Sequence, residues 1–315
     1  MYVKVIILIL TYNLKEYITE ALDSVLMQKT GFDYKILIGD DGSTDGTLDI
    51  LKKYKEKYPE IIDIYAAKHN GGNLLNTLRL LQRAECEYFS VLDGDDFWVG
   101  EERLQHQVDF LDRNSNYMLC SGQTQYIVDG KLKNMILPEK YLGSSYTFAD
   151  YFKKPMLFHT SGLLLRNVIF REGIPQYWYE AVDTFEDCAL RGEDFRRMIH
   201  LEKGPLYVLP EMVSCYRIHD KGIWSGMPET QKMIESAIAT HYVKKYYQGK
   251  YPELQADIVQ RANEWYSRMW KVLITNKYLF PQYRLSPKET RLLTDFLNVL
   301  SRENSVSERM QVNIF

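Results

Sequence analysis

The sequence predicts an α/β fold: a parallel sheet with helices on both faces, followed by a helical C-terminal region. Three observations predict it. Short apolar runs alternate with amphipathic stretches over residues 3–93, the pattern of strands joined by crossover helices. The polar, acid-rich loops follow the apolar runs, so they gather at one edge of the sheet. From about residue 228 the chain keeps only helical periodicity and loses this loop chemistry.

Each element follows from its residues. "VKVIILIL" (3–10) is apolar almost throughout, as a strand buried on both faces must be. Residues 15–28 carry Tyr17, Ile18, Ala21, Leu22, Val25 and Leu26 at helical spacing. "YKILIG" (34–39) is the second strand, and "STDGTLDILKKYKEKY" (43–58) is a helix whose start holds three candidate N-caps, Ser43, Thr44 and Asp45. Strands at 61–67 and 87–93 flank a helix at 73–84. Residues 101–113 form an amphipathic helix with Leu104, Val108 and Leu111 in a stripe. A strand pair is expected around "DGK" (129–131), then a strand at 160–167, a helix at 193–204 ending at Gly204, and short strands at 206–210 and 212–219. Residues 262–274 and 286–300 read as helices, the second opened by Ser286-Pro287-x-Glu289.

Bulk numbers exclude several classes. The chain has 315 residues, 45% hydrophobic and 26% charged, with a net charge of 39 − 42 = −3, so nothing argues for nucleic acid as a partner. Cys86, Cys120, Cys188 and Cys215 stand alone, without zinc-ligand spacing, which reads as reduced thiols. No segment approaches the ~20 apolar residues of a membrane span. The expectation is a cytoplasmic protein without a transmembrane segment, with peripheral attachment at the inner membrane face as the variant that would reach a lipid-linked acceptor.

The acids carry the chemistry. In "YFSVLDGDDFWVG" (88–100), an apolar strand runs into Asp93, Asp95 and Asp96. Carboxylates this close repel and require a positive partner. Asp93-Gly94-Asp95 suits a hard divalent cation, with substrate phosphates and water completing the shell, and Gly94 would let the backbone approach a ligand. The bland reading is an acidic turn before the next helix, and on this motif alone the two are even. Asp40 and Asp41 in "GDDGSTDGT" project toward the same edge, where a carboxylate can accept from a base N–H or a ribose hydroxyl. Neither a G-x-G-x-x-G fingerprint nor a P-loop is present.

Taken in order, "LTYN" (10–13), "IGDDGSTDGT" (38–47), "NGG" (70–72), "LDGDD" (92–96), "GED" (192–194) and "YRIH" (216–219) resemble a family 2 glycosyltransferase of the inverting, bacterial type with the GT-A fold. The resemblance covers residues 3 to about 220. It implies a Rossmann-like mixed sheet flanked by helices within a catalytic domain at 1–225, with a nucleotide-binding half to about 100 and an acceptor half beyond, and a C-terminal helical region at 226–315. It implies that Thr11, Tyr12, Asn13, Asp40, Asp41, Asn70, Asn76, Asp93 and Gly94 line the nucleotide site, with Asp40 or Asp41 on the base. Asp95, Asp93 and His219 would hold Mn²⁺ or Mg²⁺. Asp194 would be the catalytic base, with Glu193 near the acceptor. The implied reaction moves a hexosyl or N-acetylhexosaminyl group from a nucleotide-diphosphate sugar, with UDP the expected nucleotide, to a glycan, lipid-linked or protein acceptor, in polysaccharide biosynthesis or protein glycosylation. The chain departs from the common "ARN" that follows the asparagine-glycine loop, which leaves Arg79 unassigned. It matches instead a subgroup with "GDDFW" (94–98) and "RLQHQVDFL" (103–111).

Two other classes compete. A sugar nucleotidyltransferase of related fold needs a basic Gly-rich loop after the first strand, and "LTYNLKEY" lacks it. An inactive nucleotide- or sugar-binding module would not need both Asp95 and Asp194. His159, Thr160 and Ser161 are expected near the donor sugar. The C-terminal aromatics Trp265, Tyr266 and Trp270 read first as packing, and next as a homo-oligomer interface.

Overall fold

A computed structural model of the chain describes residues 3–153, 158–279, 282 and 284–312. The first half follows the alternation in its sequence: β1 (Val3–Thr11), α1 (Ile18–Leu26), β2 (Tyr34–Asp40), α2 (Thr47–Lys57), β3 (Ile62–Ala66), α3 (Asn73–Leu81) and β4 (Cys86–Asp93). Then come β5 (Phe97–Trp98), α4 (Arg103–Arg113), β6 (Leu119–Val128), β7 (Lys131–Met135), β8 (Ser145–Tyr146), α5 (Phe148–Lys153), β9 (Leu164–Arg166), α6 (Gln176–Glu180), α7 (Asp187–Leu190), α8 (Glu193–Leu201) and β10 (Leu206–Ile218). Three long helices close the chain: α9 (Glu229–Tyr246), α10 (Gln255–Leu279) and α11 (Pro287–Val312).

One mixed sheet runs in the order β3-β2-β1-β4-β9-β6-β10-β5. β1 to β4 are parallel where they pair, while β9 lies antiparallel to both β4 and β6. An all-parallel sheet is thus the right reading only as far as β4, because the strand–helix alternation that forces parallel pairing ends there. Register sets the site: Leu10 pairs with Asp93 and Thr11 with Asp40, so the acids of β2 and β4 end level with each other on either side of β1.

Two other expectations change. Residues 206–210 and 212–219 are one continuous strand, β10, with register shifts between Val208 and Met212 and again before Ser214. Pro210 lies in that irregular stretch, where its missing N–H costs no ladder bond. Residues 160–162 form a 3₁₀ turn, so the strand read at 160–167 shrinks to β9.

The chain divides into two compact units, residues 1–182 with 190–226, and residues 183–189 with 227–315. In the first, Val5, Ile7 and Ile9 of β1 share a core with Ile18, Leu22 and Val25 of α1 and with Leu104, Val108 and Leu111 of α4. Each such side chain stabilises by about 1.5–3 kcal/mol when fully buried. In the second, Ile234, Ala237 and Ile238 of α9 meet Met269 of α10 and Phe296 of α11, and Phe185 and Cys188 pack on this cluster. All four cysteines are free thiols. Among the described residues no helix is long and apolar enough to cross a membrane.

Candidate active site

The site is built where β1, β2 and β4 end. On one side three loops lock together. Asn13 adopts φ 54°; its amide donates to Ser43 Oγ (2.9 Å) and its Oδ1 accepts from the Thr44 amide (2.8 Å). Leu14 N donates to Thr47 Oγ1 and Lys15 N to Asp45 Oδ2, each at 3.0 Å. Gly42 sits at φ 79° with room for a Cβ only 2.9 Å from the His69 backbone, so the turn requires glycine.

The two adjacent acids then separate. Asp40 is fully buried and spends both oxygens on Ser43, accepting from its hydroxyl (2.5 Å) and its amide (3.1 Å). Asp40 therefore braces its own turn. Asp41 accepts from the amides of Gly71 (3.0 Å) and Gly72 (2.8 Å), and the Arg79 guanidinium lies 3.5 Å away. Arg79, unassigned from sequence, thus belongs to this pocket through Asp41. Asn70 is exposed, and its Oδ1 accepts from Gly72 N at 3.0 Å. Tyr12 is exposed, while the Thr11 hydroxyl is buried without a protein partner.

Two residues read as nucleotide contacts serve the scaffold instead. Asn76 is buried, donating to the Gly39 carbonyl at 2.8 Å, and a Cβ on Gly39 would fall 2.4 Å from Asn76 Oδ1. Gly94 donates to the Leu10 carbonyl at 2.8 Å, and a Cβ there would meet Leu10, Ile18 and Leu14 within 3.2 Å. The close approach that needs Gly94 is to protein, not ligand.

On the other side the carboxylates converge. Asp96 is buried, accepting from Ser161 Oγ at 2.7 Å and from Arg217 N at 2.9 Å. Arg217 is the cation the acid cluster demanded: its Nε donates to the Asp95 carbonyl at 3.0 Å and its far end pairs with Glu20. One guanidinium shared with Glu20 does not balance three acids. Asp93 shows the consequence: burial, then Asp95 and Asp96, push its carboxyl up to about 8. Burial and Asp95 hold Asp96 well above the ordinary carboxylate range too.

His159 and Glu193 close the same cluster. Burial holds His159 below the ordinary imidazole value, and its ring stacks on Tyr216 with centroids 4.2 Å apart. Its Nδ1 accepts from Ser161 N at 3.3 Å, so the 3.5 Å approach of Nδ1 to Asp96 is a contact of a neutral ring, not an ion pair. Glu193 accepts from Thr160 Oγ1 at 2.8 Å. Burial alone would raise Glu193, but the Arg197 guanidinium, with the Thr160 hydroxyl, opposes it, and Glu193 is left lowered. Asp194, next in the chain, is 64% exposed and pairs with Arg197, whose Nη1 is anchored on the Phe158 carbonyl at 3.0 Å. The helix start at Gly192 turns the two acids apart, Glu193 inward and Asp194 outward.

The turn at 160–162 has its own support. Arg103 and Gln107 on α4 are both buried. Arg103 lies 3.7 Å over Trp98, donates to Gln107 Oε1 (3.0 Å) and reaches the Ser161 carbonyl (3.1 Å). Gln107 Nε2 donates to the carbonyls of Gly162 (2.9 Å) and Cys120 (3.1 Å). The sequence signal is two polar residues one turn apart, next to Leu104, Val108 and Leu111 of the apolar stripe.

The residues suit a divalent cation. His219 Nε2 lies 3.0 Å from Asp95 Oδ2, and its Nδ1 is buried without a partner. Two donors at right angles on an octahedral ion at about 2.1 Å stand about 3 Å apart, so the pair is already at ligand spacing. Asp93 does not complete the set: among the described residues no three His, Cys, Asp or Glu side chains are grouped to hold a metal alone. An incomplete protein shell is what Mg²⁺ and Mn²⁺ sites use when phosphates supply the rest.

Comparisons with known proteins bear on the fold and the family. The S. aureus TarS fragment 1–349 superposes with a TM-score of 0.62 over 93% of this chain and 78% of that one, at 18% identity. The mannosyltransferase PcManGT of Pyrobaculum calidifontis gives 0.56 over 95% and 81%, at 16% identity. These likenesses establish the GT-A fold. TuaG of Bacillus subtilis, named for teichuronic acid biosynthesis, is 28% identical over 74% of this chain and 88% of its own length. An uncharacterised protein of Mycobacterium tuberculosis is 28% identical over 72% of this chain, which spans only 62% of that relative's length. The sequence pattern of Glycosyl transferase family 2 matches residues 6–171. Because β2 to β4, most of β1, the loops they present and all three acids at 93–96 fall inside that span, which is more than half of the 315 residues, the chain belongs to glycosyl transferase family 2.

Proposed function

We propose that the protein is an inverting, divalent-metal-dependent glycosyltransferase that takes a hexosyl or N-acetylhexosaminyl group from a UDP-sugar to a hydroxyl of a growing surface glycan. The observation that carries this reading is the pairing of Asp95 with His219 at 3.0 Å at the strand ends, in a unit that also presents an exposed Asp194 and a half-buried Glu193.

Asp41, with the Gly71 and Gly72 amides and Arg79, forms the polar wall for the base, and Tyr12 is exposed to stack on it. Asp93 stands next to the ribose position. Asp95 and His219 would hold Mn²⁺ or Mg²⁺, and the bound ion supplies positive charge to the leaving diphosphate. The acceptor oxygen attacks the anomeric carbon from the face opposite the diphosphate; its C–O bond forms as the sugar–phosphate bond breaks. Asp194 takes the hydroxyl proton, since it is the acid an acceptor can reach. Glu193, pinned by Thr160, orients the acceptor side. Solved TarS binds UDP, and PcManGT binds GDP-mannose with Mn²⁺, which supports a nucleotide-diphosphate donor and a cation here. TuaG and GgaB of B. subtilis, the latter named for minor teichoic acid biosynthesis, support a surface polymer as product.

Calorimetry of UDP with and without Mn²⁺, on wild type and Asp95→Ala, tests the reading. Binding that needs Mn²⁺ and vanishes in the variant upholds it. Absence of UDP, GDP and dTDP binding under both conditions would overturn it in favour of a non-catalytic module.

A further inference from the structure

We propose that the C-terminal half of α10 is a docking surface for an anionic lipid bilayer. Apolar and cationic side chains are both exposed there. Trp270 is 43% exposed and Ile274, one turn on, is 65% exposed; Val259 continues the flank at 40%. At about 100° per residue, Lys277 projects about 20° to one side of Trp270 and Lys271 about 100° to the other. Both lysines are exposed, so two apolar side chains stand between two ammonium groups.

Charge chooses the occupant. Between Glu264 and Glu289 the sequence carries Arg268, Lys271, Lys277, Arg284 and Lys288 and no acid, in a chain whose net charge is −3. A second copy docking by the same face would bring these cations against each other. An anionic bilayer meets them with opposite charge and takes up Trp and Ile at the headgroup boundary, while lysine stems lie along apolar surface with their charge in water. The helix is too polar to enter the hydrocarbon, so the contact is interfacial.

Co-sedimentation of the full chain with vesicles of phosphatidylglycerol and phosphatidylcholine, against phosphatidylcholine alone, tests the proposal without any sugar donor. Wild type should pellet with the anionic vesicles only, and less so as salt rises. Lys271→Glu with Lys277→Glu should weaken vesicle binding at least about tenfold. Trp270→Ala with Ile274→Ala should also weaken it, and UDP binding should be unchanged in both. Lys271→Gln with Lys277→Gln is the substitute if the reversal unfolds the chain. Wild type that stays in solution, or a charge reversal without effect, overturns the proposal. A dimer in solution that Ile274→Asp disperses would assign the face to a second copy instead.

Discussion

His219 Nε2 and Asp95 Oδ2 stand 3.0 Å apart although 124 positions separate them in the chain. β10 brings the histidine across the sheet, and Arg217 Nε fixes the Asp95 carbonyl at 3.0 Å. The pair is therefore preformed, and a cation need only replace a contact that exists. His219→Ala should weaken Mn²⁺-dependent UDP binding about 10–100-fold, the range for losing a group that shapes a metal site. Asp95→Asn should weaken it more, and neither should change the residual metal-free binding. Titration calorimetry at several Mn²⁺ concentrations measures both. Equal UDP affinity in wild type and His219→Ala would remove the histidine from the site.

Glu193 and Asp194 are neighbours with opposite surroundings, and their variants should part. Removing a general base costs about 10²–10⁴ in rate. Asp194→Asn should lose that much in kcat with donor KM nearly unchanged. Glu193→Gln should cost less in kcat and more in acceptor KM, because it removes the charge on the acceptor side while its amide oxygen can still accept from Thr160. Initial rates against acceptor concentration separate the two. The reverse pattern would make Glu193 the base.

Much of this was legible in the sequence, for physical reasons that differ by residue. The strands and helices to residue 93 follow from hydrophobic period, and the edge where their loops meet follows from parallel topology. The fates of Asp40 and Asp41 were not legible. They are consecutive and both buried, and only the folded turns show that Asp40 accepts from Ser43 while Asp41 accepts from the Gly71 and Gly72 amides. Asn76 has the composition of a ligand contact and the position of a brace under Gly39. β10 was read as two strands because Pro210 looks like a break, and only the pairing with β6 shows the bulge that absorbs it. Arg103 and Gln107 were visible as helix neighbours, but their targets lie 58 and 55 residues away.

Arg103 and Gln107 hold the turn that presents Thr160 to Glu193 and Ser161 to Asp96. Gln107→Leu removes the donor from two buried carbonyls, each costing about 1–3 kcal/mol when orphaned. The melting temperature should fall by several degrees, and kcat should drop about tenfold at temperatures where the variant remains folded. Thermal unfolding and rates per folded molecule test this together. A loss of stability with kcat intact would mean the position of the turn does not matter to the reaction.

His200 gives the protein an acid-sensitive core. Its Nδ1 lies 2.6 Å from the Arg196 carbonyl, so Nδ1–H donates there, and Nε2 is buried without a partner. Phe89 and Phe170 pack against the ring at 5.9 and 6.0 Å. Protonation would place a charge among aromatics and near the Arg196 guanidinium, and burial above all pushes the imidazole down to about 4 from its ordinary 6.5. Below pH 6.5 the unfolded chain therefore binds a proton that the folded chain refuses until about pH 4. Stability from this group is complete above pH 6.5 and is lost as pH falls through that window, by on the order of 3 kcal/mol. His200→Leu removes the titration. Its urea midpoint should be lower than wild type at neutral pH, and the gap should narrow progressively toward pH 4. Parallel midpoint curves for the two proteins across that range would mean that His200 takes up its proton alike in the folded and unfolded chains.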